Sequence, residues 1–174
     1  MLIQIEDLAP KRLINFRLPQ PLKSSDEAIL LTSAAADLPP PLGNILDIPG
    51  VSRCLITADT LSVAYEKDAD AAVIKALVMA ELDDYMRAGG RLLHITSNAV
   101  SKDVAEAVAD SFIRPILNRD KGDIEIISVT DNCLEVRFTG HCSGCPYAMN
   151  TLQNVVDKLF RRHIPALAKT VLRE

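Results

Sequence analysis

Cys142 and Cys145 are the side chains of this sequence best suited to chemistry. They lie three positions apart in Gly140-His141-Cys142-Ser143-Gly144-Cys145-Pro146. Ahead of them, apolar and polar residues alternate through Leu134-Glu135-Val136-Arg137-Phe138-Thr139, as on a half-buried strand. Behind them, Met149, Leu152, Val155, Val156, Leu159 and Phe160 recur at helical spacing. Pro146 suits the first helical position, where its missing N–H would have no partner anyway. The two thiols are therefore expected in a glycine-bearing loop between a strand and a helix N-terminus. Unpaired N–H groups and partial positive charge at such a terminus favour thiolate over thiol. Two small residues buried in a turn would be the plainer reading, but the polar loop lies outside any periodic apolar run. Thiolates in this setting ligate iron–sulfur clusters and also bind zinc.

One chain supplies only this pair. Cys133 precedes Cys142 by nine positions, and an intervening strand at about 3.3 Å per residue separates them by roughly 20 Å or more. Cys54 falls on an apolar segment that reads as a hairpin strand in the other half of the chain. Both are read as structural. A four-thiolate set then needs a second chain, and two C-x-x-C loops meeting across an interface would hold a [4Fe–4S] or a [2Fe–2S] cluster. A cluster held near solvent between two chains can be released when they part, which suits a carrier and not an enzyme with a buried cofactor.

The other polar residues add little. His141 abuts Cys142 and could tune the loop or donate to a cluster sulfur, although a histidine so placed is commonly just solvated. His94 and His163 read as linker and helix-end residues without an evident partner. Asp120, Asp123 and Glu125 read as turn and strand-surface residues and not as a hard-cation site. No Ser/His/Asp arrangement, Walker loop or G-x-G-x-x-G is present.

The elements that must position the thiols follow from periodicity. Two strands are expected within residues 1–18, broken at Ala9-Pro10, and a short third at Ala28–Thr32. A helix-like stretch begins at Ala34–Asp37, is interrupted by Pro39-Pro40-Pro41, and resumes over Leu42–Leu46. Val51–Ile56 and Leu61–Tyr65 form a hairpin after the turn at Ile48-Pro49-Gly50. Asp70–Met86 is a helix with apolar positions Val73, Leu77, Ala80 and Val78, Leu82, Tyr85, and Gly89-Gly90 stops it. Val104, Val108, Phe112 and Ile116 mark a further helix, which Pro115 should kink or stop. Ile124 and Ile126 belong to a strand, Thr130-Asp131-Asn132 turns the chain back into the strand before the cysteines, and Ala168–Leu172 adds a last strand.

Composition narrows the function classes. The chain has 174 residues, 48% of them apolar, enough for real cores. Aromatics make up 4%, Trp is absent and the net charge is −4, which argues against a nucleic-acid surface. No run approaches the roughly 20 apolar residues of a membrane span. The opening residues resemble neither a secretory signal nor a transit peptide, so a cytoplasmic location is the expectation.

The last third of the chain resembles the C-terminal domain of the NifU/Nfu family of iron–sulfur cluster scaffolds and carriers. The resemblance rests on Ile113-Arg114-Pro115, Asp120-Lys121-Gly122-Asp123-Ile124-Glu125, the Gly140–Pro146 string, Thr151-Leu152-Gln153 and His163-Ile164-Pro165. Lys121 departs from the pattern, where the family has a second glycine, and this bears on turn geometry more than on ligation. Residues 1–87 resemble the small N-terminal domain often joined to that module, through Leu46, Ile48-Pro49-Gly50-Val51, Leu55-Ile56, Asp59 and Leu61-Ser62-Val63. The family's Pro-Asn-Pro-Asn run is replaced here by Ala9-Pro10-Lys11-Arg12.

The expected fold is α+β, two small α/β sandwich-like domains. The first spans 1–87, a linker 88–100, and the cluster-binding domain 101–174, in the order α-β-β-α-β with the C-x-x-C loop between strand and helix. The resemblance implies a non-enzymatic carrier. Cys142 and Cys145 of two chains would hold a [4Fe–4S] cluster in a homodimer, taken from cluster donors and delivered to recipient apo iron–sulfur proteins. A thiol–disulfide oxidoreductase is the alternative, but only 29 residues follow Cys145 (174 − 145), too few for the elements that follow the motif in a thioredoxin-like fold. A structural zinc site would need a second ligand pair nearby.

Overall fold

A computed structural model describes residues 2–32, 38–95, 100–141 and 146–173, with residues 146–152 described by backbone alone. The stretch Ala34–Asp37, read above as helix-like, lies outside the described residues. The chain forms two compact units, Met1–Ser25 with Ile29–Thr96 and Asp26–Ala28 with Ser97–Glu174.

The first unit is a five-stranded antiparallel sheet carrying one long helix. Its strands are β1 (Gln4–Leu8), β2 (Leu13–Arg17), β3 (Ile29–Thr32), β4 (Val51–Ile56) and β5 (Thr60–Tyr65), in the order β1-β2-β5-β4-β3. The central strand β5 is buried along its whole length, as a strand flanked on both sides must be. On β2 and β5 the facing pair Asn15 and Ser62 is buried and satisfied internally: the Ser62 hydroxyl donates to Asn15 Oδ1 at 2.6 Å. The short helix α1 (Leu42–Leu46) follows the proline run.

Helix α2 (Ala71–Arg87) starts where Asp70 accepts hydrogen bonds from the N–H groups of Ala72 and Val73. It stops at Gly89, whose φ of +100° suits glycine. Only one of its two apolar stripes is used. Ile74, Val78 and Leu82 are buried, whereas Val73 and Leu77 are 52% and 43% exposed. The expected stripe through Val73, Leu77 and Ala80 therefore faces outward; the sheet accepts a single ridge, and Ile74 completes the one containing Val78 and Leu82. Leu93, beyond the helix, is buried in this unit's core, and its N–H donates to the Leu22 carbonyl at 2.7 Å.

The second unit packs helices on a three-stranded mixed sheet. Strands β6 (Gly122–Thr130) and β7 (Cys133–Gly140) form an antiparallel hairpin, and β8 (Lys169–Leu172) pairs parallel to β7. Asp131 and Asn132 take φ of +49° and +58° at the hairpin tip, the geometry of a tight two-residue turn that suits the twist of the strands. Leu134, Val136 and Phe138 alternate into the core at 0%, 1% and 4% exposure, as their spacing predicts. Val156 and Phe160 of the long helix α5 (Pro146–His163) are buried in the same unit.

The helical segment before the hairpin departs from expectation in an informative way. It runs as α3 (Lys102–Val108), a single π turn (Ala109–Ile113) and α4 (Arg114–Leu117). Pro115 neither stops nor ends it. A proline lacks the N–H for the i−4 bond and its ring crowds that carbonyl, and the wider π turn just before it accommodates both effects. The π turn adds one residue to the phase of the helix. The buried series becomes Val104, Val108, Ile113, Leu117 in place of Val104, Val108, Phe112, Ile116, and Ile116 is 44% exposed. Phe112 instead stacks on His163, ring centroids 4.2 Å apart and planes 13° from parallel. His163, expected to have no partner, is thus a buried side chain of this unit.

Candidate metal centre

The C-x-x-C loop leaves the end of β7 and enters α5. Cys142, Ser143, Gly144 and Cys145 lie outside the described residues, so the site is defined by the two stems that carry them. Pro146 is the first residue of α5, as its chemistry predicts. The first turn of α5 has no acidic residue, while Arg161, Arg162 and His163 occupy its last. Both ends therefore leave the helix dipole aimed favourably for an anion at the N-terminus.

The strand stem is held by backbone. Gly122 faces Gly140 across the hairpin, and the next residue, His141, donates its N–H to the Lys121 carbonyl at 3.2 Å. Gly140 has φ of +69°, and a Cβ there would stand 2.5 Å from the Lys121 carbonyl oxygen. Only glycine fits this crossing without moving the turn. Lys121 itself has φ of +56° and ψ of +26°, a left-handed conformation that costs a side-chain-bearing residue about 1–2 kcal/mol. We expect Lys121→Gly to relieve that strain. After allowance for glycine's greater freedom in the unfolded chain, the net gain is about 0.5–1 kcal/mol, read as a higher urea midpoint at unchanged slope.

An ion cluster fixes the start of β6, and so the partner of the stem. Arg114 is 7% exposed. Its guanidinium meets Glu106 and Asp110 at 2.8 Å each, Asp123 at 3.2 Å, and the Ile124 carbonyl at 2.9 Å. Asp123 Oδ1 also accepts the Ile124 N–H at 2.8 Å. Burial alone would lower the Arg114 pKa, but hydrogen bonds and charge from Glu106 and Asp110 outweigh it and raise it. Asp123, read from sequence as a turn or strand-surface residue, is thus one arm of this cluster, and Glu125 pairs with Arg137 at 3.2 Å. Sequence reasoning missed the cluster. The available signal was the carboxylates Glu106 and Asp110 ahead of Arg114, but the π turn places Glu106 within reach in a way regular helix spacing does not suggest.

The remaining cysteines stand apart from the loop. Cys133 opens β7 and Gly140 closes it, so seven strand steps, about 23 Å, separate them. Cys54 is fully buried in β4 of the first unit, and burial pushes its thiol up to about 12. A thiol held protonated in an apolar core is a poor ligand. His141 and His94 are exposed. Among the described residues no three His, Cys, Asp or Glu side chains gather as a metal site. No helix among them is long and apolar enough to cross a membrane.

A family model described as a NifU-like domain matches residues 105–171. A Drosophila willistoni protein named NFU1 iron-sulfur cluster scaffold homolog, mitochondrial, is 28% identical over 142 residues, covering 76% of this chain and 49% of its own length. The protein of the same name from Drosophila ananassae is 27% identical over 136 residues, covering 72% of this chain and 48% of its own length. The chain spans about half the length of the curated relatives it matches. A crystal structure of a Staphylococcus aureus protein is similar at 22% identity and a TM-score of 0.42, over 47% of this chain and 99% of that one. A solution structure of a Staphylococcus epidermidis protein is similar at 17% identity and a TM-score of 0.37, over 51% of this chain and 99% of that one. A match over 76% of the chain takes in residues outside 105–171 as well. Residues 105–171 thus match a NifU-like domain, and the relatives named as iron–sulfur cluster scaffold homologs match over about three quarters of the chain.

Proposed function

We propose that this chain is an iron–sulfur cluster scaffold and carrier, without catalytic activity of its own, that holds a [4Fe–4S] cluster as cargo between two copies and passes it to recipient apo-proteins. Cys142 and Cys145 of each copy would supply the four thiolates. The observation that carries the reading is the distribution of thiols over the fold. One pair lies on a loop between a pinned strand end and a proline-started helix. Cys133 sits at the opposite end of β7, and Cys54 is sealed in the first unit. Two thiols per chain at the loop would leave a cubane half-ligated, so a second chain would complete it. The names of the relatives support the scaffold role.

The test is anaerobic reconstitution followed by native mass spectrometry and Mössbauer spectroscopy. The expected result is one four-iron cluster per two chains, with dissociation to single chains when the cluster is transferred to an apo acceptor. A complete four-iron cluster on a single chain would rule out the shared site. Failure to take up iron and sulfide with both thiols reduced would rule out the scaffold.

A further inference from the structure

We propose that a cleft in the first unit is a peptide-docking groove, and that its occupant is an extended segment of a partner protein with a Lys or Arg among apolar residues. The cleft has a volume of about 780 Å³. One wall is the C-terminal half of α2 with Glu81, Asp84 and Tyr85, a second is the proline run 39–41, and a third is the chain from Gly90 to His94. That third wall is tied down on one side. Gln20 Nε2 donates to the Gly90 carbonyl at 3.3 Å, the Tyr85 hydroxyl donates to the Arg91 carbonyl, and the Leu93 N–H donates to the Leu22 carbonyl at 2.7 Å. Leu93 is buried while Leu92 and His94 are exposed, the alternation of an extended strand. Among the described residues the main-chain groups of Leu92 and His94 make no hydrogen bond. In an extended strand they point away from the side that Leu22 occupies, and are open to a further strand.

The chemistry of the walls selects the occupant. The prolines, Tyr85 and the half-exposed Leu92 offer apolar surface. The strip continues along α2, where Leu77 stands one turn before Glu81 and Val73 one turn before Leu77, both of them exposed. Two carboxylates, Glu81 and Asp84, face one guanidinium, Arg91, on these walls. The last carbonyls of α2 add partial negative charge at the same end. Asp84 is exposed and, among the described residues, in no ion pair. The balance favours a cationic side chain on the occupant. The cleft is open to solvent, so it would leave much of a small molecule in water. A peptide strand can instead pair its main chain with residues 92–94 and lay alternate side chains on the other walls.

The test selects binders for the full chain from a random library of seven-residue peptides displayed on phage. The enriched sequences are expected to carry a Lys or Arg among aliphatic residues. As synthetic peptides they should slow hydrogen exchange at the Leu92 and His94 amides. Asp84→Lys should weaken their binding about tenfold by fluorescence anisotropy, and exchanging the peptide's own cation for Glu should restore binding to that variant. The variant is expected to fold, because Asp84 is exposed in the last turn of α2, where a Lys suits the helix dipole. N-methylation of alternate peptide bonds should abolish binding, as main-chain pairing requires. An absence of enriched sequences, an enriched sequence without a cation, or protection that spares residues 92–94 would overturn the groove. Equal affinity for wild type and Asp84→Lys would overturn it as well. None of these readouts involves the cluster, so the groove and the scaffold reading fail separately.

Discussion

Replacing Cys142 or Cys145 by alanine is expected to reduce iron and sulfide uptake to background, while Cys54→Ala and Cys133→Ala retain it. On the proposed shared site each loop substitution acts twice, because the same residue would come from both copies and leave the site two thiolates short. Two thiolates do not hold a cubane against solvent and competing thiols. The controls follow from the fold. Cys54 is a protonated thiol in an apolar core, and Cys133 is a strand length away from the loop. The readout is iron and sulfide per chain after reconstitution, with circular dichroism to show that each variant is folded. Loss of the cluster in Cys133→Ala with the fold intact would contradict the two-per-chain site.

The largest effect on stability is expected at Arg114. Three carboxylates converge on its guanidinium, and a buried carbonyl takes a fourth bond. Arg114→Met keeps the bulk of the stem but leaves Glu106, Asp110 and Asp123 facing one another with no cation between them. Breaking a buried charge cluster from one side costs about 3–5 kcal/mol. Because Asp123 is 43% exposed and Glu106 30%, we place the loss near the lower end, about 3 kcal/mol, in urea unfolding. Arg114→Lys should recover part of it, since an ammonium restores the charge but not the fork that reaches four acceptors. Cluster retention should fall along with stability, because Asp123 anchors the strand that faces Gly140. A loss below about 1 kcal/mol in Arg114→Met would show that water already does most of the work of the guanidinium.

Much of this was legible in the amino-acid sequence, and the misses share a cause. The hairpin β6–β7 could be read directly, because Leu134, Val136 and Phe138 alternate and Asp131-Asn132 suit a left-handed turn. Pro146 announced α5. The outward stripe of α2 was misjudged because Val73 and Leu77 are as apolar as Val78 and Leu82; periodicity gives the spacing of a face but not which of two faces the sheet will take. Phe112 and Ile116 were misplaced because a π turn leaves no mark in a 3.6-residue pattern until the phase beyond it is known. The Arg114 cluster depends on that turn and was invisible for the same reason. The setting of Lys121 was half visible. Its departure from glycine pointed to the turn, but only the fold shows that the turn and the loop stem share a hydrogen bond.

The π turn at Ala109–Ile113 also bears on how this module tolerates insertions and deletions. Loops absorb a gained or lost residue by changing shape, but a helix docked on a sheet converts it into a rotation of about 100° for everything that follows. Deleting one residue between Ala109 and Ile113 would restore an unbroken α-helix and read as a mild change in sequence. Deletion there would bring Ile113 to the regular helical spacing after Val108, so Ile113, Leu117 and Arg114 would keep their sites. In descendants of this chain, a single-residue deletion should therefore be tolerated within 109–113, as at the 131–132 hairpin tip, and be purged from the regular helical turns on either side.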